Sequence, residues 1–166
     1  MPSDTAERLG WKLEVISMPE RETIERAHED AHEGKSPSTQ AGEFVREEMH
    51  HVREGKHGAA STKQAIAIGL SKARKAGVKL APPSTGTASA STRQKAERDY
   101  ERGQSHSKKK SPTRSRATRR ALKKKGHSAA SHSSLSRQAR SAAKKRGSAA
   151  RHNAARKASR TRKANR

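Results

Sequence analysis

Beyond Leu80 the chain holds only three large apolar side chains, Tyr100, Leu122 and Leu135, scattered over 86 residues. Such a stretch cannot bury a core of its own, so an autonomous fold has to come from the first half. Charge divides near the same place. Residues 1–54 carry 13 acids against 7 Lys or Arg, residues 55–166 carry 3 against 32, and no acid follows Arg102. A cationic surplus of that size resists compaction unless a polyanion supplies the counter-charge, and the abundant cellular polyanions are DNA and RNA. Duplex DNA presents one phosphate per ~1.7 Å of axis, so a surplus of about 29 matches roughly 50 Å, or about 15 base pairs.

The stretch Ser36–Leu80 reads as a helical hairpin. Ser36 before Pro37 is a cap followed by a first-turn proline, and Ala41, Phe44, Val45, Met49 and Val52 then recur at helical spacing until Gly55. After the connection Gly55–Ala60, Ser61 with Gln64 forms a capping box, and a second helix runs to Gly77. Ala65, Ile66, Gly69, Leu70, Ala73 and Ala76 share one face of it. The small strip Ala65, Gly69 and Ala73 is expected to seat Phe44, Val45, Met49 and Val52 at close approach. Lys63, Lys72, Arg74 and Lys75 are assigned to the outward arc of the second helix as a basic stripe. The first helix is expected to expose Glu43, Arg46, Glu47, Glu48 and Arg53.

The flanks are simpler. Leu9, Trp11, Leu13 and Val15 alternate, which suits a short strand or, more simply, a flexible end over residues 1–17. Ser17 with Glu20, and Pro19 between them, predicts an acidic helix from about Met18 to Glu33 with a thin apolar stripe of Ile24, Ala27 and Ala31. Packed on the hairpin, it makes a three-helix head over about 18–80, a marginal size for a single core. Pro82-Pro83-Ser84-Thr85-Gly86 is a linker by composition, and Ser91 with Gln94 predicts a short polar helix from Thr92 to Arg102, ending at Gly103. From 104 to 166 the composition is Lys, Arg, Ala and Ser. Three helical pieces, about 112–125, 134–146 and 149–162, are marked by Pro112, Gly126 and Gly147, but repulsion between like charges four residues apart is expected to leave them transient in a largely disordered tail. The fold class read from the sequence is therefore mostly α, a small helical head followed by a disordered cationic tail.

Several constellations carry chemistry on paper. His28-Glu29-Asp30-Ala31-His32 matches H-E-x-x-H, the pattern that places two zinc-binding His on one helical face with a Glu to activate water. Glu48 and Glu54 are the available third ligands, but a charged helix in so small a head offers no cleft around the metal, and two solvated His are the simpler reading. His50, His51 and His57 gather at the hairpin turn as solvated or backbone-bonded side chains, or as a phosphate contact that strengthens as imidazole gains charge. Gly55-Lys56-His57-Gly58 is too short for a P-loop. Ser111-Pro112-Thr113-Arg114 loosely matches the Ser-Pro-basic turns that lie in A·T minor grooves. The scarcity of aromatic side chains argues against a stacking platform for single strands. The absence of Cys leaves no disulfide or thiolate site. No secretory signal or membrane-length apolar run is present in the sequence, which places the protein in the cytoplasm by default.

The segment GEFVREEMHHVREGKHG followed by STKQAIAIGLSKARKAGVKL resembles, over about Ser36–Thr92, a small domain of bacterial proteins of unknown function that is often labelled DNA-binding. The Lys/Ala/Ser/Arg tail is similar to the tails of histone H1 and of bacterial histone-H1-like proteins. These resemblances imply a nucleoid-linked protein and supply no catalytic residue.

The expectation is a non-enzymatic protein, without cofactor or metal, that binds DNA largely independently of sequence. In the head the phosphate contacts are Lys63, Lys72, Arg74 and Lys75. In the tail they begin with Lys108, Lys109 and Lys110, then Arg114, Arg116, Arg119 and Arg120, then Lys123, Lys124 and Lys125. Further on they are Arg137, Arg140, Lys144, Lys145, Arg146, Arg156 and Lys157. Compaction or bridging of duplexes would follow. RNA or ribosome association uses the same charge, and a third reading is a protein-interaction adaptor whose acidic first 54 residues bind a partner or fold back on the tail. No membrane partner is expected, and the sequence leaves the oligomeric state open.

Overall fold

Ser36 and Ser61 do what their positions call for. Each sits in extended backbone and accepts a hydrogen bond from the amide three residues on, Thr39 N at 3.4 Å and Gln64 N at 3.2 Å. The Gln64 amide oxygen in turn accepts from Ala60 N at 2.7 Å, one residue earlier than a standard capping box. Gly55 and Gly77 close the two helices with φ of 75° and 98°, the left-handed backbone that favours glycine. The protein is described here from a computed structural model, which covers residues 19–105 and 111–164. Among them the order is α1 (Arg21–His32), α2 (Pro37–Arg53), α3 (Thr62–Lys75), α4 (Ala90–Gln104), α5 (Pro112–Lys123), a 3-10 turn (Ser128–Ala130) and α6 (His132–Ala164). No strand is present among the described residues, so the mostly helical fold class holds. The possible strand at residues 9–15, the Ser17 half of the first capping box and Lys108–Lys110 lie outside the described residues.

The hairpin packs as its small strip requires. Ala65, Gly69 and Ala73 are buried against α2, and a Cβ on Gly69 would lie 2.7 Å from Val45 Cα and 3.0 Å from Phe44 O. The core gathers Ala27 of α1, Ala41 and Phe44 of α2, Ala73 of α3 and Val78, with Ile24, Leu70, Ala76 and Leu80 packed around it. Phe44 is the one large ring in this core, and its burial alone stabilises the head by roughly 1.5–3 kcal/mol.

Three expectations about the flanks are corrected. The polar helix starts earlier, at Ala90, because Ser89 and not Ser91 caps it by accepting from Thr92 N. Gly103 does not end that helix but lies inside it, where the lack of a side chain lets α4 press on the Arg74 carbonyl at the end of α3. Ser71 Oγ donates to Asp99 at 2.6 Å and Gln104 Nε2 to Gly77 O at 3.2 Å, so α4 is part of the packed head.

The tail is the third correction. It is helical: α5 is capped by Ser111, which accepts from Arg114 N, so the Ser-Pro-Thr-Arg match is a helix start rather than a free turn. Residues 122–130 then dock on the hairpin turn. Gly58 N donates to Leu122 O, Ala59 N to Gly126 O, Thr62 Oγ1 to Ala129 O at 2.6 Å and Arg53 Nε to Ala130 O at 3.0 Å, while Ala129 and Ala130 are buried. The described residues up to Ala130 form one compact unit, and those from Ser131 onward form a second. The second is the long helix α6, broken only where Gly147 takes φ 75° and ψ 170°. The repulsion expected to melt it is small. Within α6 only Arg140–Lys144 and Arg156–Arg160 stand four apart, each opposing the helix by about 0.2–0.5 kcal/mol, while the intervening Ala, Arg and Lys are strong helix formers.

Candidate functional site

Two sets of charges have to be kept apart, one buried in the hairpin and one on the helices that follow it. The buried set begins on α2. Glu48 follows Phe44 by four residues and precedes Val52 by four, which puts it at the centre of the inward face rather than on the surface. It is completely buried, and Glu47, His51 and His57 are nearly so. The exposure expected for Glu47 and Glu48 is therefore corrected. Arg46 and Arg53 are exposed as expected, and Glu43 is half-buried.

Lys72 is corrected with them. At 100° per residue it falls within about 60° of Ala65 and Gly69, on the packed side of α3. Its ammonium donates to Glu47 Oε1 at 2.9 Å and lies 3.0 Å from Glu48 Oε2. Arg74 is also internal, since α4 and the 78–81 segment cover it. It donates to Leu80 O at 3.1 Å and Ala81 O at 3.2 Å, and burial lowers its pKa against the opposing pull of Asp99. Lys75 is exposed and pairs with Asp99 at 3.2 Å. Lys63 alone of the four keeps both its exposure and its freedom from a protein acid among the described residues.

Glu47 Oε2 accepts from the Glu20 backbone amide at 3.0 Å, tying the start of α1 to α2. The Glu20 carboxylate meets His51 Nε2 at 2.8 Å and Lys56 Nζ at 3.1 Å. Those hydrogen bonds, His51 first and Lys56 second, hold its pKa down at about 2. Lys56 is raised: burial works against its charge, but Glu20 and Glu54 outweigh that. His57 Nδ1 faces Gly58 O at 3.2 Å and its Nε2 faces Glu48 Oε1 at 3.3 Å. The His51 and His57 rings meet edge to face, 6.0 Å between centroids. Neither Glu48 oxygen nor His51 Nδ1 has a hydrogen-bond partner. A cleft of about 300 Å³ opens beside this cluster, with Glu20, Glu47, His51 and Lys56 on its wall. His50, by contrast, is exposed, as are His28 and His32, so the H-E-x-x-H pair lies on the solvent side of α1.

The second set is the cations of α5, of Lys124 and Lys125 just after it, and of α6. Arg114, Arg116, Arg120, Lys123, Lys124 and Lys125 are exposed, and Arg119 is half-buried. Arg137, Arg140, Lys144, Lys145, Arg146, Arg156 and Lys157 on α6 are all exposed, and no residue of either helix is buried. Among the described residues no ion pair involves a residue beyond Asp99. Most acids of residues 20–54 are paired instead with cations of the head: Glu43 with Arg26 and Arg46, Asp30 and Glu33 with Lys35, Glu47 with Lys72.

No helix among the described residues is long and apolar enough to cross a membrane. No curated protein and no solved structure matches the chain. Residues 37–84, the hairpin and its closing segment, match the model of a family of unknown function (DUF6496).

Proposed function

We propose that the protein is a non-enzymatic, largely sequence-independent DNA-binding protein whose contacts are made chiefly by phosphate neutralisation along α5 and α6. The observation that carries this reading is the state of α6: eleven Lys or Arg over residues 132–164, no acid and no buried side chain. Cations held on helices lose less conformational freedom on meeting a polyanion than cations on a random chain. Alternation with Ala and Ser suits phosphates, which need charge rather than base-specific side chains. In the head, Lys63 is the remaining candidate contact, because Lys72 and Arg74 are committed internally. Eight of the ten acids of residues 20–54, all but Glu25 and Glu29, have partners within the head, which favours DNA binding over an adaptor that folds its acidic half onto the tail.

Competition with unrelated duplex tests this directly. Binding to one duplex should be displaced by any other of equal length at equal concentration, and reversing Arg137, Arg140 and Lys144 to Glu should weaken all of them alike. A duplex that resists competition refutes sequence independence, and a preference for duplex RNA of the same length moves the assignment to RNA.

A further inference from the structure

The buried cluster beneath the hairpin turn is unexplained by phosphate binding, since none of it reaches the surface that DNA would touch. Its donors are arranged for a different ligand. His51 Nε2 is 2.8 Å from the Glu20 carboxylate, which assigns the proton to that nitrogen; Nδ1 is buried, makes no hydrogen bond and lies 3.8 Å from Glu47 Oε1, so its lone pair faces negative charge without a cation. His57 Nδ1 faces the Gly58 carbonyl, which assigns the proton there and turns the Nε2 lone pair toward Glu48 Oε1. A lone pair 3.3 Å from a carboxylate oxygen is repulsive unless something positive stands between them. Glu48, His51 and His57 each offer one ligand atom, and these three atoms all lie within 4.8 Å of one another.

We propose that Glu48, His51 and His57 bind a divalent transition-metal cation of the zinc class between α2 and the hairpin turn. Two imidazole nitrogens and one carboxylate form a borderline-hard donor set that suits zinc and disfavours magnesium or calcium, which want oxygen alone. Bonds of ~2.0–2.1 Å in tetrahedral geometry place ligand atoms about 3.3–3.4 Å apart. The Glu48–His57 spacing already has that value. The second shell is present too. Each His gives its other nitrogen to an acceptor, a carboxylate for His51 and a backbone carbonyl for His57, the arrangement that fixes tautomer and ring in metal sites.

The charge balance agrees. Glu20, Glu47, Glu48 and Glu54 share two ammoniums, those of Lys56 and Lys72, so with neutral imidazoles the cluster and its edge carry uncompensated negative charge. Lys72 lies against Glu48 Oε2 and Glu47 Oε1, and Lys56 against Glu20, leaving Glu48 Oε1 to the metal. Of the three ligands, His51 also lines the neighbouring cleft, beside Glu47 and Glu20. The bound cation would tie the turn carrying Gly58 and Ala59, on which residues 122–130 dock, to the centre of α2.

The test uses the full chain, stripped with a chelator and titrated with cobalt(II) and then zinc, beside a variant carrying His28→Ala and His32→Ala, and the variants Glu48→Gln and His57→Gln. The site predicts one equivalent of cobalt with the intense visible bands of tetrahedral coordination, displaced by zinc and retained when His28 and His32 are removed. Glu48→Gln and His57→Gln should each weaken binding at least tenfold, and Glu20→Gln by 10–100-fold through His51. Should the buried variants fail to fold, long-range proton–nitrogen spectra of the intact chain decide, with zinc shifting Nδ1 of His51 and Nε2 of His57. The proposal is overturned if no stoichiometric site exists at micromolar metal, if binding disappears with His28 and His32, or if those two nitrogens do not respond. None of these outcomes touches the DNA reading, which rests on other residues.

Discussion

Replacing Lys72 with methionine separates a structural lysine from a phosphate contact. In the intact head its ammonium lies 2.9 Å from one buried carboxylate and 3.0 Å from another. Glu48 is 0 % exposed and Glu47 4 %, so neither has water to fall back on. Methionine keeps most of the side-chain volume, and the cost is therefore mainly electrostatic. Breaking a buried pair by removing one partner typically costs about 3–5 kcal/mol, because the remaining charge is stranded. A head of this size loses roughly 4–8 °C of melting temperature per kcal/mol, so Lys72→Met should lower the midpoint by at least about 12 °C. Lys63→Met, on the exposed side of the same helix, should shift stability by no more than about 0.5 kcal/mol. The assay is urea and thermal unfolding of both variants by circular dichroism, with DNA affinity measured at a temperature where both are folded. If Lys72→Met unfolds like the parent yet binds DNA more weakly than Lys63→Met, the ion-pair cluster is not as described and Lys72 belongs to the phosphate surface.

Further outcomes follow from single contacts. Gly58→Ala places a methyl group on the Lys125 carbonyl, so residues 122–130 should detach from the turn, with stability falling by about 1–3 kcal/mol and faster amide exchange confined to that segment; exchange unchanged there would contradict the docking. Ser89→Ala should destabilise α4 by about 1 kcal/mol and Ser91→Ala scarcely at all, read by unfolding midpoints, because only Ser89 accepts from a helix amide. The Glu20 carboxylate, with its folded pKa lowered from 4.5 to about 2, contributes stability that is complete above pH 4.5 and lost as pH falls toward 2. Being 39 % exposed it is partly screened, so the gap between the parent and Glu20→Gln should be about 1 kcal/mol at neutral pH and close over that range.

The hairpin was legible because its signals are local. Ser36, Pro37, Gly55, Ser61 and Gly77 act through backbone geometry within a few residues of themselves, and the Ala65–Gly69–Ala73 strip states its own need for a close neighbour. Glu48, His51 and Lys72 were missed as internal residues for the opposite reason. Their residue types say surface, while their positions, four and seven residues after Phe44 and seven after Ala65, say core. Periodicity counted over every residue, rather than over apolar ones, would have found all three. Arg74 has no such sign, since what buries it is α4 arriving from twenty-nine positions away at Gly103. Charge predicts a disordered tail, but charge sets how the tail interacts with water and polyanions and not whether its Ala-rich segments are helical. The docking of residues 122–130 through backbone amides of Gly58 and Ala59 leaves almost no trace in side-chain composition.

Salt dependence of DNA binding, measured on the full chain and on a chain ended at Ala130, the limit of the first compact unit, tests the role of α6 most directly. Removing the rest deletes twelve Lys or Arg, and each phosphate contact contributes about 0.9 to the slope of log affinity against log salt. If half of them meet phosphate, the slope should become shallower by about 5, with affinity at moderate salt falling by orders of magnitude. Equal slope and equal affinity in the two chains would contradict the claim that α6 holds DNA.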